Sequence, residues 1–589
     1  MTYLALSAKY QDKSNTLQHQ LQWLSFLRLV LFAGAIYGGY EAVATGRTWI
    51  IIVTFMLLVA FLLLIRLYDK LQLQTAFFKA LTKLNLDEVR FLNGETGIYP
   101  GGDEYIDTGH PYSYDIDIFG SGGLFSYLNR CSTDFGKKAL AQSLLHPVSA
   151  EIEERQEAIL ELKDKLEFRQ HLQAHGSLLD TKQKEMSQLR GWLETPAVTS
   201  RVLYYFVLLF PLASTSCLVY YFITEAPAAL QGFYDLFLVN LLIAIFFTRR
   251  ITRQLSVSTS VTKILQQYAG QLKQIEMQDF QSPLLKRLQD GLKTGKTKAS
   301  GSIDRLASLF NYLESVVNLV VSAILNGLFL FHIHILFALE KWKIRNGGQI
   351  MPWLSLLGEI EALNSLANLS YNNPDYCRPA VSTDETLIAK DMGHPLIRKE
   401  KRIVNSISFS DQRFVILTGS NMSGKSTFLR TLGINLILAR MGSVVCAGAF
   451  TFYPYAVHVS MRITDSLQDS ESFFYAELKR LQAIILQLEA GDKTFVILDE
   501  ILRGTNSNDK HNGTIGLIHK LVTARACGII ATHDLTVSGL ATENPVYIGN
   551  KCFESEIIND ELLFDYKLKD GVCTRLSASF LMKKMGIIN

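Results

Sequence analysis

The chain has 589 residues, 58 Lys and Arg against 55 Asp and Glu for a net charge of +3, and 48% hydrophobic residues. That length exceeds what a single core serves and implies about three or four structural units. The near-neutral charge excludes a protein that coats nucleic acid by bulk electrostatics and leaves local patches for any such contact. The seven cysteines are scattered without CxxC spacing, so they read as reduced thiols and favour neither a zinc site nor a disulfide framework.

The N-terminal twenty residues are polar and show no cleavable leader pattern. Trp23 to Tyr40 is apolar apart from Arg28, and Thr48 to Ile65 carries no charge and is long enough to cross a bilayer. The connector EAVATGR makes the two a hairpin. A second pair follows, Val202 to Thr224 with an internal Pro211, which membrane spans tolerate, and Leu230 to Phe247 with Asp235 near one end. Arg66, Lys70, Arg201, Arg249, Arg250 and Arg253 sit at one end of these hairpins, which by the positive-inside rule places the termini and the long polar segments in the cytoplasm. The alternative for each hairpin is a buried helical pair in a large soluble core. A fifth run, Val316 to Leu339, contains Asn318, Ser322, Asn326, His332 and His334 and would give an odd number of crossings, so it reads as one long buried helix touching the membrane or a dimer partner. His332 and His334 do not share a helical face and read as packed core histidines rather than metal ligands.

Between the hairpins, 69–123 is a connector rich in Gly and Asp, and Leu124 to Leu172 has helical periodicity, with Pro147 closing one helix and Ser149 opening the next. From Ile251 to Leu369 the pattern stays helical. From about Thr383 short apolar strands alternate with helices, the mark of a parallel sheet covered on both faces.

The apolar run Phe414 to Thr418, the loop Gly419, Ser420, Asn421, Met422, Ser423, Gly424, Lys425, Ser426 and Thr427, and the helical FLRTLGINLILAR read as strand, loop and helix. In that context GxxxxGK[ST] is a phosphate cradle, with Lys425 reaching the outer phosphates of ATP and the Ser426 hydroxyl on Mg²⁺. A plain glycine-rich turn leaves the lysine unexplained. A second buried strand, TFVILDE (Thr494 to Glu500), ends in two carboxylates. Asp499 holds Mg²⁺ through water and Glu500 polarises the attacking water, against the plainer reading of an acidic strand cap.

The strings TGSNMSGKST, LDEILRGTNSND (Leu498 to Asp509), ATHD (Ala531 to Asp534) and GHPLI (Gly393 to Ile397) together resemble the MutS family of ATPases, as do LNRCSTDFGKKALAQSLLHPVSAEIEERQEAI and IEALNSLANL. The resemblance covers roughly Leu124 to Ser200 and Ile251 to Ile588. It implies that Asn421 to Thr427 wrap the nucleotide, that His533 senses the terminal phosphate, and that Ser472, in the segment Met461 to Leu478 beside Glu477, is offered across a dimer interface to the partner's nucleotide. Asp509 matches the interface loop. Without the resemblance Ser472 reads equally as a helix cap and His533 as a polar strand-end residue.

The fold expected is therefore multidomain: transmembrane helical hairpins, an all-α lever and core, and a C-terminal α/β P-loop ATPase of the ABC/MutS type. Its divisions are 1–67 with the first hairpin, 68–123 connector, 124–200 helical core, 201–248 second hairpin, 249–382 core and lever, and 383–589 ATPase domain. The function expected is a multi-pass ATPase of the inner (cytoplasmic) membrane, homodimeric, using ATP and Mg²⁺, DNA-binding and related to mismatch repair or recombination; the alternative is a membrane-remodelling or transport-coupled ATPase with no nucleic-acid partner. Three departures from the family pattern bear on that choice. No Phe-x-Glu occurs in the N-terminal 120 residues, the second hairpin falls where related proteins place the DNA-encircling lever and clamp, and Leu502 and Lys510 replace glycines. Basic clusters at Lys293 to Lys298 and Lys399 to Arg402 offer phosphate contacts, a solvated loop being the commoner explanation.

Overall fold

The computed structural model describes residues 2–147, 150–178, 183–196, 201–294, 297–420, 422–462, 473–558 and 561–573, together with 582, 585, 587 and 588. Two units share the chain discontinuously: Met1–Asn93, Glu167–Asp279 and Arg287–Leu357 form one, and Gly94–Leu166, Phe280–Lys286 and Gly358–Asn589 the other.

The first unit is built from helices. Thr2–Thr45 and Thr48–Leu92 form the expected hairpin, turning at Gly46, whose φ of 63° suits a residue without a Cβ. Both helices outrun their apolar stretches: the polar N-terminus is helical, and 68–92, read from sequence as connector, is the second helix's own continuation. Tyr10 stacks on Phe78 at 6.2 Å, Leu81 and Ala174 close a small core there, and Asn85 and Gln170 exchange side-chain hydrogen bonds of 2.9 and 3.2 Å. Farther along, Trp23, Phe26, Phe55 and Leu63 are exposed.

Arg201–Thr224 and Pro227–Met277 form the second hairpin, with Pro227 in the first helical turn, where its missing N–H costs nothing. Four helices among the described residues contain a stretch long and apolar enough to cross a membrane: Thr2–Thr45, Thr48–Leu92, Val207–Thr224 and Pro227–Ser256.

The fifth run is not the single long helix expected of it. After Ala299–Glu314 the chain turns by 111°, resumes as Leu319–Phe329, breaks at Leu330 (φ 49°) and continues as Phe331–Asn346. Its polar residues make the break. Asn318 caps the Val321 N–H at 3.1 Å, Asn326 Oδ1 accepts from the His332 N–H at 3.1 Å, and the His332 ring joins Asn326 Nδ2 at 2.8 Å and Ser315 Oγ at 2.9 Å. His332 is thus a packed, bonded core residue. Asn240 of the second hairpin donates to the Gly327 carbonyl at 2.8 Å and lies 3.4 Å from Ser214 Oγ, so groups freed by the break are met by protein.

In the second unit, Asp134–Leu145 starts at Thr133, whose hydroxyl accepts from the Gly136 N–H at 3.1 Å. The next helix begins at Ile152; Ser149, the expected start, lies outside the described residues. Glu361, buried, accepts from the hydroxyls and N–H groups of Ser132 and Thr133. Gly358 allows that approach, since a Cβ there would lie 2.6 Å from the Phe135 carbonyl oxygen.

The remainder is α/β, as its alternating texture requires. A six-stranded sheet runs Glu561–Asp570, Ile548–Ile558, Phe414–Gly419, Cys527–Thr532, Thr494–Asp499, Ala456–Ser460; all neighbours are parallel except the Glu561–Asp570 edge. The three central strands are buried along their whole length, as a sheet covered on both faces demands. Helices Phe473–Glu489 and Ser507–Thr523 cover one face through Leu481, Ile484, Ile518 and Leu521 against Val496, Leu498 and Ile530. A smaller sheet orders Ala380–Val381, Ala449–Phe452, Leu387–Met392 and Asn405–Ser408.

Candidate functional site

Register explains why one cluster forms. Ala531 pairs with Leu417 on one side and with Asp499 on the other, so three parallel strands end at the same level. The strand Cys527–Thr532 lies between the other two, which puts His533 between the loop after Gly419 and the carboxylates after Leu498.

The loop turns through Met422 (φ 67°) and Gly424 (φ 98°) into the helix Lys425–Arg440, whose first turn faces it. A side chain at Gly424 would also meet Tyr566, 3.0 Å from the ideal Cβ. Lys425 is buried and its Nζ donates to the carbonyls of Gly419 at 2.8 Å and Ser420 at 3.1 Å. Burial lowers its pKa, against the pull of the neighbouring Glu500 and Asp499. Ser426 Oγ donates to Asp499 Oδ2 at 2.6 Å, joining the two elements that the sequence assigned to one ion.

Glu500 stands just past its strand at φ 49°, a conformation costing roughly 1–3 kcal/mol that surrounding contacts must hold. Its N–H donates to the Ala531 carbonyl at 3.0 Å, and its carboxylate pairs closely with His533 Nε2, with Arg503 Nη2 3.6 Å away. The His533 hydrogen bond is the chief reason the Glu500 carboxyl is held down to about 2. His533 Nε2 is also 3.5 Å from Lys425 Nζ. Lys425, Ser426, Asp499, Glu500 and His533 therefore form one connected set. Asn421 and Ser472 lie outside the described residues.

Polar atoms left over indicate what the site takes. Ser420 Oγ, Ser423 Oγ and Asp499 Oδ1 are buried without a hydrogen-bond partner, and they surround the cradle. Phosphate oxygens would satisfy the hydroxyls and a hydrated cation the carboxylate, so the residues fit ATP with Mg²⁺. A cavity of about 470 Å³ adjoins them, lined by Lys425, Thr427, Glu500, His394, Asn405 and Tyr566 among others, a size proper to a small-molecule ligand.

Of the remaining expected residues, Glu477 is buried and accepts from the Leu502 N–H at 2.8 Å, fixing the loop after Glu500. Leu502, at the position where the family pattern has glycine, adopts φ 60°. Asp509 lies in the first turn of Ser507–Thr523, where Asn506 Oδ1 accepts from its N–H at 2.8 Å. In the basic clusters, Lys293 pairs with Asp290 at 2.6 Å and Lys399 with Asp375 at 3.2 Å.

Sequence reading missed a clasp made by the connector. Asp115, fully buried, accepts from the N–H groups of Met461 at 2.8 Å and Arg462 at 2.7 Å and from Arg480 Nη1 at 2.8 Å. Burial raises its carboxyl pKa, with Arg480 opposing. Asp117 bonds Arg462 at 2.5 Å and lies 3.3 Å from Arg430 of the helix that follows the glycine loop. The clasp holds both flanks of 463–472, the segment containing Ser472. A second unforeseen group joins His511 Nδ1 to Asp534 at 2.6 Å and to Thr536 Oγ1 at 3.1 Å. The acidic spacing of YDIDI was the one available hint of the clasp.

Family models match two segments, MutS domain III over residues 109–202 and MutS domain V over 415–585. The chain is 30% identical over 229 residues to the DNA mismatch repair protein MutS of Thermotoga neapolitana, covering 38% of this chain and 28% of that one. It is 27% identical over 293 residues to the protein of that name from Desulfatibacillum aliphaticivorans (48% and 30% covered) and 31% identical over 210 residues to human MutS protein homolog 4 (34% and 22%). The match thus spans less than a third of the length of these curated relatives.

Proposed function

As the chain belongs to the MutS family through its domain III and domain V segments, we propose that it is an ATPase anchored in the cytoplasmic membrane by two helical hairpins, working as a homodimer on DNA. The observation that carries the ATPase reading is the convergence of Lys425, Ser426, Asp499, Glu500 and His533 at three adjacent strand ends beside unsatisfied serine hydroxyls. The anchor reading is supported by four apolar helices whose large side chains face outward, with arginines at one end of each hairpin.

Lys425 is a donor already desolvated and aimed at loop carbonyls, which it exchanges for phosphate oxygens. Ser420 and Ser423 add hydroxyl donors in the same cradle. Mg²⁺, when bound, neutralises charge on the phosphates; Ser426 and Asp499 would hold it. Glu500, ionised at every working pH, orients a water once it leaves His533, and His533 so released is free to meet the terminal phosphate. Ser472 serves the partner's nucleotide, the Asp115 and Asp117 clasp gripping Arg462 before it and Arg480 after it in the chain, and movement of the helical arms follows closure of the pair. Transport-coupled or membrane-remodelling work without nucleic acid is the second reading, favoured by the local carboxylate partners of Lys293 and Lys399.

The test uses detergent-purified protein. Lys425→Ala should abolish ATP turnover, and Glu500→Gln should retain ATP binding while losing about 10²–10⁴-fold in turnover, the usual worth of a general base. Undiminished hydrolysis by Glu500→Gln removes the mechanism. Turnover unaffected by duplex or branched DNA at low salt, with no salt-dependent binding, removes the DNA partner and leaves the second reading.

A further inference from the structure

A second cavity, of about 960 Å³, lies wholly in the helical unit, and Lys298, Arg305, Lys341 and Arg345 line it without any Asp or Glu. All four are exposed, and among the described residues none has an ion-pair or hydrogen-bond partner. Four uncompensated cations around one concavity repel one another, an arrangement that gains stability when an anion enters.

The walls are preformed. Trp342 Nε1 donates to the Ser302 carbonyl at 2.9 Å, fastening Phe331–Asn346 to Ala299–Glu314, and the Tyr204 ring packs on Phe337 at 4.9 Å. Tyr204 and Tyr205, in the first turns of Arg201–Thr224, supply the remaining wall.

Depth identifies the source of the anion. Ser214, Asn240 and Gly327 meet at one level, halfway along the apolar part of the hairpin. From Ser214 back to Tyr205 is about 14 Å along the helix, at 1.5 Å per residue. That is half of the roughly 30 Å hydrocarbon core, which puts the tyrosine wall of the cavity at the level of lipid head groups, where tyrosines collect. A duplex presents its phosphates on a convex face that does not enter such a hollow, whereas a lipid phosphate does, with Ile344 exposed at the rim for its glycerol and upper chains.

We propose that this cavity is a binding site for the phosphate head group of an anionic phospholipid of the phosphatidylglycerol class, on the cytoplasmic side of the second hairpin. It rests on the reading that this hairpin is seated in a bilayer.

The experiment is titration of full-length protein in dodecyl maltoside with phosphatidylglycerol or phosphatidylcholine, read by retained lipid in native mass spectrometry. Phosphatidylglycerol should be retained and phosphatidylcholine not. An Arg305→Glu, Lys341→Glu double variant should lose at least about tenfold in retention, since each cation near the surface is worth roughly fivefold. Arg345→Gln, a milder change on the same rim, should lose roughly fivefold. Equal retention of the two lipids, or undiminished retention by both variants, overturns the site. So does displacement by an equal concentration of inorganic phosphate, which would mark a free-anion site, and so does a double variant that loses duplex DNA while keeping lipid. Carbonate washing of membranes separates the premises: wild-type protein released by carbonate overturns the seated hairpin, and loss of lipid preference in carbonate-resistant protein overturns the pocket alone.

Discussion

Asp115→Ala would remove a carboxylate that three donors share and leave the chain otherwise intact. Arg480 then loses the partner of a largely buried ion pair, a deficit of about 3–5 kcal/mol when one member alone is removed. The Met461 and Arg462 N–H groups lose their acceptor as well, and each buried orphan costs about 1–3 kcal/mol unless water reaches it. These terms overlap, so local opening should become easier by about 3 kcal/mol at least, which accelerates exchange-competent opening by about 10²-fold. Hydrogen-exchange mass spectrometry on intact protein is the assay. Peptides covering Ala456–Ser460, with the following Met461 and Arg462, and Phe473–Glu489 should gain exchange by that factor, while Thr48–Leu92 stays unchanged. If those amides exchange at the wild-type rate, the clasp does not hold the segment and its role beside Ser472 is refuted.

The Glu500 carboxyl, depressed to about 2, adds stability that is full above its unfolded value and lost as pH falls through about 2. The stability difference between wild type and Glu500→Gln should accordingly stay constant from neutral pH down to about pH 5 and then shrink as pH falls from the ordinary glutamate pKa of about 4.3 towards 2, in thermal melts followed by circular dichroism; in a His533→Ala background, which removes the chief cause of the depression, that pH dependence should flatten. Glu361→Ala leaves the Ser132 and Thr133 donors unmet in a closed core and should destabilise the second unit by about 3 kcal/mol or more, again seen by local exchange. Cell fractionation should leave the protein in membranes after a carbonate wash, and recovery in the soluble fraction would contradict both hairpins.

Motifs with fixed local geometry were legible in the sequence. Phe414–Gly419, Thr494–Asp499 and Cys527–Thr532 are short apolar runs with a chemical residue at the end, and a parallel sheet aligns their ends wherever they sit in the chain. The apolar hairpins were equally plain because hydropathy is a property of composition. Long-range partners were not legible. Asp115 and Arg480 are 365 positions apart, and nothing local marks them as a pair. Val316 to Leu339 differs from its sequence reading for another reason: its polar residues read as packing inside one helix, whereas Asn318 and Asn326 bond backbone and ring groups that appear only once the helix is broken. The basic cavity was hidden because its four cations come from two helices and a strand end, singly spaced in sequence.

The first hairpin's helices run 44 and 45 residues, about 66 Å each at 1.5 Å per residue, whereas hydrocarbon is roughly 30 Å deep. If the pair is seated upright in a bilayer as proposed, about half of each rod stands outside the hydrocarbon. On that proposal the pair is a spacer as much as an anchor, and its reach is set by residue count rather than by any one side chain. Cutting seven residues from each rod at matching height would shorten it by about 10 Å while turning the facing sides by only about 20°, so the standoff is a dimension that evolution or an engineer adjusts almost independently of packing.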